Sequence, residues 1–260
     1  MKEFKIKLLN VMPLTLYLYI KRLKFHIRQQ SEFDLLQAKR KFVTTTDRSF
    51  KPFDDTKSIF VHIPKCAGMS IKKVLYGNRA GGHTTLSSYA NVFSPSEMSH
   101  YFKFTVVRNP WDRLVSAYHF LKVGGMNEYD ATWAQENLAE YTSFRDFVMT
   151  WLNKENIMKI YHFQPQSHFI TDKHQALSVD FIAFLENIDK DFEYISKKVN
   201  PSAIMQVKNK SDHKDYKDYY DAEMILKVAD IYAEDIQLLG YNFDNSSLSS
   251  QIKDRNDSAT

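Results

Sequence analysis

Hydrophobic positions in this chain alternate between two periods, and the switches between them set the order of its elements. At 58–63 an unbroken run of β-formers (Ile59, Phe60, Val61, His62, Ile63) predicts a buried strand. The run breaks at Pro64 and turns through Lys65, Cys66, Ala67 and Gly68. From about Ser70 the apolar residues recur at helical spacing, as Ile71, Val74 and Leu75, up to Gly77. A loop with paired glycines, 78–83, leads to Ser94-Pro95-Ser96-Glu97. That tetrad has a helix start's chemistry: a Ser cap, Pro at the first position and Glu three residues after the cap. A second strand follows at 101–107 (YFKFTVV) and runs straight into Arg108-Asn109-Pro110-Trp111-Asp112. There Asn109 suits a cap, Pro110 the first turn and Asp112 the positive helix end. Leu114, Val115, Tyr118 and Leu121 carry this helix to Gly124-Gly125.

Helical spacing returns over 132–151, with a break near Ser143, and a third buried strand is predicted at 179–184 (VDFIAF). A helix over 189–199 and a polar, Lys-rich loop over 200–215 come next. A long helix over 219–239 carries Ile225, Val228, Ile231, Tyr232, Ile236 and Leu239 on one side and ends at Gly240. There is no internal repeat. Strands alternating with helices predict an α/β fold, a central parallel sheet flanked by helices in three layers. Ligands of such sheets bind at the carboxyl ends of the strands. Both 64–70 and 108–112 lie at such ends.

The chain divides into a basic N-terminal helical extension (1–50), the α/β domain (51–243) and a polar tail (244–260) expected to be disordered. The apolar segment 8–20 lies between Lys5/Lys7 and Lys21/Arg22/Lys24; its 13 residues, which include Asn10, Pro13 and Thr15, are too few for a spanning helix, which needs about 20. No small-residue cleavage site follows, so a signal peptide is not expected. Two readings remain: a helix packed on the domain, or a basic amphipathic segment in peripheral contact with a membrane. The net charge of +4 is too mild to point to nucleic acid. The lone cysteine, Cys66, excludes an intrachain disulfide and fits a reducing, cytoplasmic setting. Together with the missing anchor it suggests a bacterial origin.

A strand, a tight turn with one glycine and then a helix presents backbone N–H groups to an anion, and Lys65 adds positive charge. A nucleoside-triphosphate loop needs Gly, four residues, then Gly-Lys-Ser/Thr. Here Lys65 precedes the only glycine, so a Mg²⁺-dependent kinase fits poorly. A cysteine phosphatase needs Arg six residues after its Cys, and that position holds Lys72. Cys66 is better read as a small residue filling a turn.

At the level of motifs, His62-Ile63-Pro64-Lys65-Cys66-Ala67-Gly68-Met69-Ser70 resembles the 5′-phosphosulfate loop of the carbohydrate sulfotransferases, the group of uronosyl and chondroitin/heparan enzymes. The segment 106–118 (VVRNPWDRLVSAY) resembles their 3′-phosphate motif, and similarity continues to about residue 243. Cys66 and Met69 stand where the family usually has Thr or Ser. The resemblance implies a P-loop-like fold and 3′-phosphoadenosine-5′-phosphosulfate (PAPS) as sulfuryl donor, with no metal. It implies that Lys65, Gly68, Met69, Ser70 and Ile71 hold the 5′ end, and Arg108 and Ser116 the 3′-phosphate. Lys65 would also neutralise charge on the leaving phosphate. Taken singly, Lys65 also reads as a solvated loop lysine, Arg108 as an ion-pair partner of Asp112, and Ser116 as a helix packing residue.

Transfer needs a base for the acceptor hydroxyl. His83, after Gly81-Gly82, resembles the Gly-His of uronosyl sulfotransferases and is the first choice; His168, His162 and Glu186 are rivals. Gln164, Gln166, His168, Glu186 and Lys210 are candidates to meet a carbohydrate or glycolipid acceptor. The alternatives are a nucleotide-dependent phosphoryl-transfer enzyme of similar fold, or a non-catalytic nucleotide-binding or membrane-adaptor protein.

Overall fold

The computed structural model describes residues 13–42, 48–77, 80–171, 179–205 and 214–258. In chain order they form α1 (Leu14–Arg28), α2 (Gln30–Ala38), α3 (Lys51–Thr56), β1 (Ser58–Val61), α4 (Gly68–Tyr76), α5 (Leu86–Val92), α6 (Pro95–His100) and β2 (Phe102–Val107). Then come α7 (Pro110–Lys122), α8 (Glu128–Leu138), α9 (Phe144–Asp146), α10 (Gln166–Ile170), β3 (Phe181–Phe184), α11 (Ile188–Val199), α12 (Ala222–Ile231), α13 (Ala233–Leu239) and α14 (Leu248–Ser258). None of the described helices is long and apolar enough to cross a membrane.

The chain divides into two compact units. One comprises Met1–Ile63, Ala67–Val106 and His168–Gln206 and holds the sheet. Its three parallel strands lie in the order β1-β2-β3, flanked by helices, as expected of an α/β fold. Ser58 pairs with Phe102, and Val61 with Thr105. Every side chain of β1 is buried, which is why Ile59-Phe60-Val61 is a continuous apolar run rather than an alternation, with Ser58 at its start bonded to Tyr76 Oη. Thr105 is fully buried yet tolerated, because its hydroxyl donates to the Val61 carbonyl at 2.8 Å. The Ser94 start is a complete capping box: Ser94 Oγ accepts from Glu97 N and Glu97 Oε2 accepts from Ser94 N. Glu97 and Asp54 also pair with Arg40. In α1, Leu18 is buried and the helix packs on α5 and α6.

The other unit comprises Pro64–Cys66, Val107–Ser167 and Val207–Thr260. Its core is aromatic: Phe147 stacks on Trp151 with ring centroids 5.2 Å apart, and Phe163 lies 5.3 Å from each. The break foreseen near Ser143 is a cap, with Ser143 Oγ accepting from Asp146 N; after it α9 widens into a π-helical turn, Phe147–Trp151. The single helix expected over 219–239 is two helices, α12 and α13. Tyr232 leaves helical geometry between them (φ −103°, ψ 26°), and its buried hydroxyl donates to Phe163 O at 2.7 Å. Gly240 ends α13 in the left-handed conformation, as its position predicts.

The tail read as disordered contains α14. Gln251 is buried and its amide donates to Leu239 O at 2.6 Å, satisfying a carbonyl that the end of α13 leaves without a partner.

Candidate active site

The turn after β1 is strained at residues other than glycine. Lys65 and Ala67 both hold left-handed backbone, at φ 69° and 55°. Gly68 is needed for a different reason. A Cβ there would lie 1.8 Å from Cδ2 of His62, so the first residue of α4 packs directly on that ring. The amides of Ser70 and Ile71 already donate to Ala67 O, at 3.1 and 3.2 Å. Gly68 and Met69 supply the first-turn amides ahead of them, which the geometry of a helix start leaves without a carbonyl of their own helix. Ile71, expected in the donor site, is instead fully buried with its amide already donating to Ala67 O, which makes it a core residue of α4. Met69 is exposed and Ser70 half-buried.

Lys65 belongs to the second unit, where the tips of the two motifs meet. Arg108 Nη1 donates to the Lys65 carbonyl at 3.2 Å. The rest of its guanidinium forks onto Asp112, at 2.7 Å to each carboxylate oxygen, so the ion-pair reading of Arg108 is realised. The Lys65 ammonium lies 3.7 Å from the centre of the Phe120 ring. Burial first, and then the neighbouring Arg108 charge, push its pKa down to about 8. Ser116 is half-buried on α7. The first turn of α7 is closed by its own cap, because Asn109 Oδ1 accepts from the amides of Trp111 and Asp112. An anion beside Arg108 would therefore have to be held by side chains.

Arg113, inside the second motif, is a residue that reading the sequence overlooked. It is 2 % exposed, and its guanidinium donates to three backbone carbonyls: Pro64 at 3.1 Å, His162 at 3.2 Å and Gln164 at 2.7 Å. It thereby ties the start of the first motif to the 162–164 segment. Its arginine-specific fork was present in the sequence, but nothing marked it as buried.

Gln166 was expected to meet the acceptor, and the structure overturns that. It is fully buried; its side-chain oxygen accepts from Arg108 N at 2.9 Å and its Nε2 donates to Arg108 O at 2.8 Å. It copies a strand partner at the end of β2. The Cys66 thiol also donates to its oxygen, which fits a cysteine filling a turn. Asp235, buried and with its pKa raised by desolvation, accepts from the Gln166 and Ser167 amides and locks this segment from the other side.

His162 is 4 % exposed, and burial lowers its pKa. Its Nε2 donates to buried Asp130, which also accepts from Tyr161 Oη and the Met126 amide. That makes it a packed histidine, which removes it as a rival base. Gln164 is half-buried and donates to Met158 O.

His83 lies in the first unit. Left-handed Gly81 and Gly82 deliver it onto His62, with ring centroids 4.2 Å apart. Its Nδ1 is 3.2 Å from the His62 carbonyl oxygen. A carbonyl can only accept, so Nδ1 carries the proton and the lone pair of the neutral ring is on Nε2. The His62 ring is buried and held neutral by desolvation. His168 is exposed, and Glu186 is half-buried in the turn after β3. Lys210, and the Asn209-Lys210-Ser211 loop with it, lie outside the described residues.

Residues 48–242 match the family model described as Sulfotransferase family. No curated protein and no solved structure matches the chain. The matched span takes in the turn after β1, the Arg108 corner and the last helix before Gly240, which are the elements that build the geometry above; the chain belongs to sulfotransferase family 2.

Proposed function

We propose that this protein is a PAPS-dependent O-sulfotransferase acting on a hydroxyl of a carbohydrate or glycolipid. Family membership supports sulfuryl transfer in general. The observation that carries the finer reading is the junction of Lys65 with Arg108, which puts two cationic side chains at the tips of both motifs within one unit. A donor phosphorylated at both ends of its ribose asks for two such groups.

PAPS, when bound, supplies an activated sulfuryl group joined to phosphate through a bridging oxygen. In this reading Lys65 holds the 5′ end together with the Gly68 and Met69 amides and the Ser70 hydroxyl. Lys65 then offsets the charge left on the phosphate as the S–O bond breaks. Arg108 and Ser116 hold the 3′-phosphate. Arg108 would share its guanidinium between phosphate and Asp112. His83 Nε2 takes the proton of the acceptor hydroxyl as the new O–S bond forms, in one in-line displacement with no covalent enzyme intermediate. The hydrogen bond to His62 O suits this role, since it keeps the correct tautomer before the proton arrives. Half-buried Gln164 and Glu186 and exposed His168 are left as acceptor contacts.

The test is an acceptor screen with radiolabelled donor across polysaccharides and glycolipids, in the presence of EDTA. Transfer lost in Lys65→Ala and His83→Ala is expected. Binding of ATP with Mg²⁺, and none of adenosine 3′,5′-bisphosphate, would return the reading to a phosphoryl-transfer enzyme. Bisphosphate binding with full turnover in His83→Ala would overturn the base.

A further inference from the structure

Helix α1 presents an apolar face outward. Leu18 points into the protein, whereas Leu16, Tyr19, Leu23 and Ile27 are exposed, Tyr19 by 57 % and Ile27 by 72 %. At 100° per residue, Leu16, Leu23 and Ile27 fall within roughly 40° of one another, with Tyr19 beside them and Leu18 on the far side. The charged groups are distributed unusually too. Arg22 is turned inward over the Phe33 ring at 4.7 Å, and Lys21 donates to Ser87 Oγ. Lys24 and Arg28 remain exposed on the shoulder of the apolar stripe. The helix contains no acidic residue; the next carboxylates after it, Glu32 and Asp34, come on α2.

We propose that this face rests on an anionic lipid bilayer, with α1 lying in the plane of the interface. Its 15 residues reach about 22 Å, too short to span the hydrocarbon core of about 30 Å but suited to lying along it. Leu16, Tyr19, Leu23 and Ile27 enter the headgroup–acyl boundary while Lys24 and Arg28 meet lipid phosphates. Charge argues against the other occupants. A second copy would bring the same cationic shoulders together. The chain's own first 12 residues, with Lys2, Lys5 and Lys7 against a single Glu3, are also basic. An anionic surface complements all of these groups at once.

The experiment is co-sedimentation of the full chain with vesicles of phosphatidylcholine alone and of an equal mixture with phosphatidylglycerol. Binding to the mixed vesicles is expected, with little to neutral ones. Lys24→Ala/Arg28→Ala should weaken it by about 25-fold, near fivefold per charge. Leu23→Gln/Ile27→Gln should weaken it by about tenfold or more. All four residues are exposed, and an unchanged melting temperature shows that each variant is folded. No binding to the mixed vesicles, or undiminished binding in both variants, overturns the proposal. A dimer in sedimentation equilibrium that Leu23→Gln/Ile27→Gln dissolves would assign the face to a second copy and overturn it. So would vesicle binding that appears only after residues 1–12 are removed. The assay needs no acceptor, so its failure is distinct from failure of the sulfuryl-transfer reading.

Discussion

Lys65 must be charged to hold a phosphate, yet its site works against that charge. Burial and Arg108 bring its pKa down to about 8, while Cys66 and then Asp130 pull the other way. In the free protein the ammonium is then about 90 % populated at pH 7 and about 10 % at pH 9. A bound phosphodianion favours the charged form and raises the pKa again. Affinity for adenosine 3′,5′-bisphosphate should therefore fall about tenfold between pH 7 and pH 9, with a proton taken up on binding at the higher pH. The ligand's own phosphates, with second pKa values near 6, are already ionised across this window. The assay is calorimetric titration at each pH in buffers of different ionisation enthalpy, which counts the proton directly. Lys65→Arg keeps its charge and should give a flat profile, while Cys66→Ala, which removes the one nearby thiol, should keep the wild-type slope. Constant wild-type affinity from pH 7 to pH 9, or an equal slope in Lys65→Arg, would refute the reasoning.

Gly68→Ala would drive a Cβ into the His62 ring and should cost about 3 kcal/mol or more, read as lost soluble protein or a lowered denaturant midpoint. Ala67→Gly removes a left-handed strain and should stabilise by up to about 1 kcal/mol in urea unfolding, with bisphosphate affinity kept. Arg113→Lys replaces a fork whose Nε and Nη2 serve three buried carbonyls by a single nitrogen, leaves at least one of them without a donor, and should cost about 1–3 kcal/mol, again by urea titration. Gln251→Ala should cost about 1–2 kcal/mol and raise amide exchange across α13 and α14, which a disordered tail would not show.

The fold was legible where one residue type has one structural use. Pro95 and Pro110 in first turns, Ser94 and Asn109 as caps, and Gly240 as a stop all sit where their chemistry put them. β1 was legible because a parallel strand buried on both faces favours a near-continuous apolar run, and β2 because its β-branched and aromatic residues outweigh Lys103. What sequence could not carry was the partner of each buried polar group. Gln166 and Gln164 look alike in the sequence. One is fully buried and pairs with the Arg108 backbone like a strand edge, while the other is half-exposed. Arg113 stands five residues after Arg108, and only packing separates the arginine that staples Pro64 from the one that reaches the Lys65 carbonyl. Helix α14 escaped for the same reason. A polar sequence reads as solvent-exposed, and nothing in it marks Gln251 as the buried amide that answers the orphan carbonyl of Leu239.

The role of glycine in the first motif is the sharper case. A lone glycine in a phosphate-binding turn suggests backbone that no other residue can adopt. Here the left-handed angles fall on Lys65 and Ala67, and Gly68 is fixed by contact with the edge of His62. That ring also lies tilted against His83, and the carbonyl of the same residue sets the His83 tautomer. One buried histidine at the end of the strand run therefore constrains both the start of α4, the proposed anion site, and the orientation of the proposed base. A change at His62 should disturb both together, whereas a change at His83 should spare the helix start. Bisphosphate affinity separates the two: it should fall in His62→Ala and hold in His83→Ala. Equal affinity in both variants would show that Gly68 does not depend on the ring it touches.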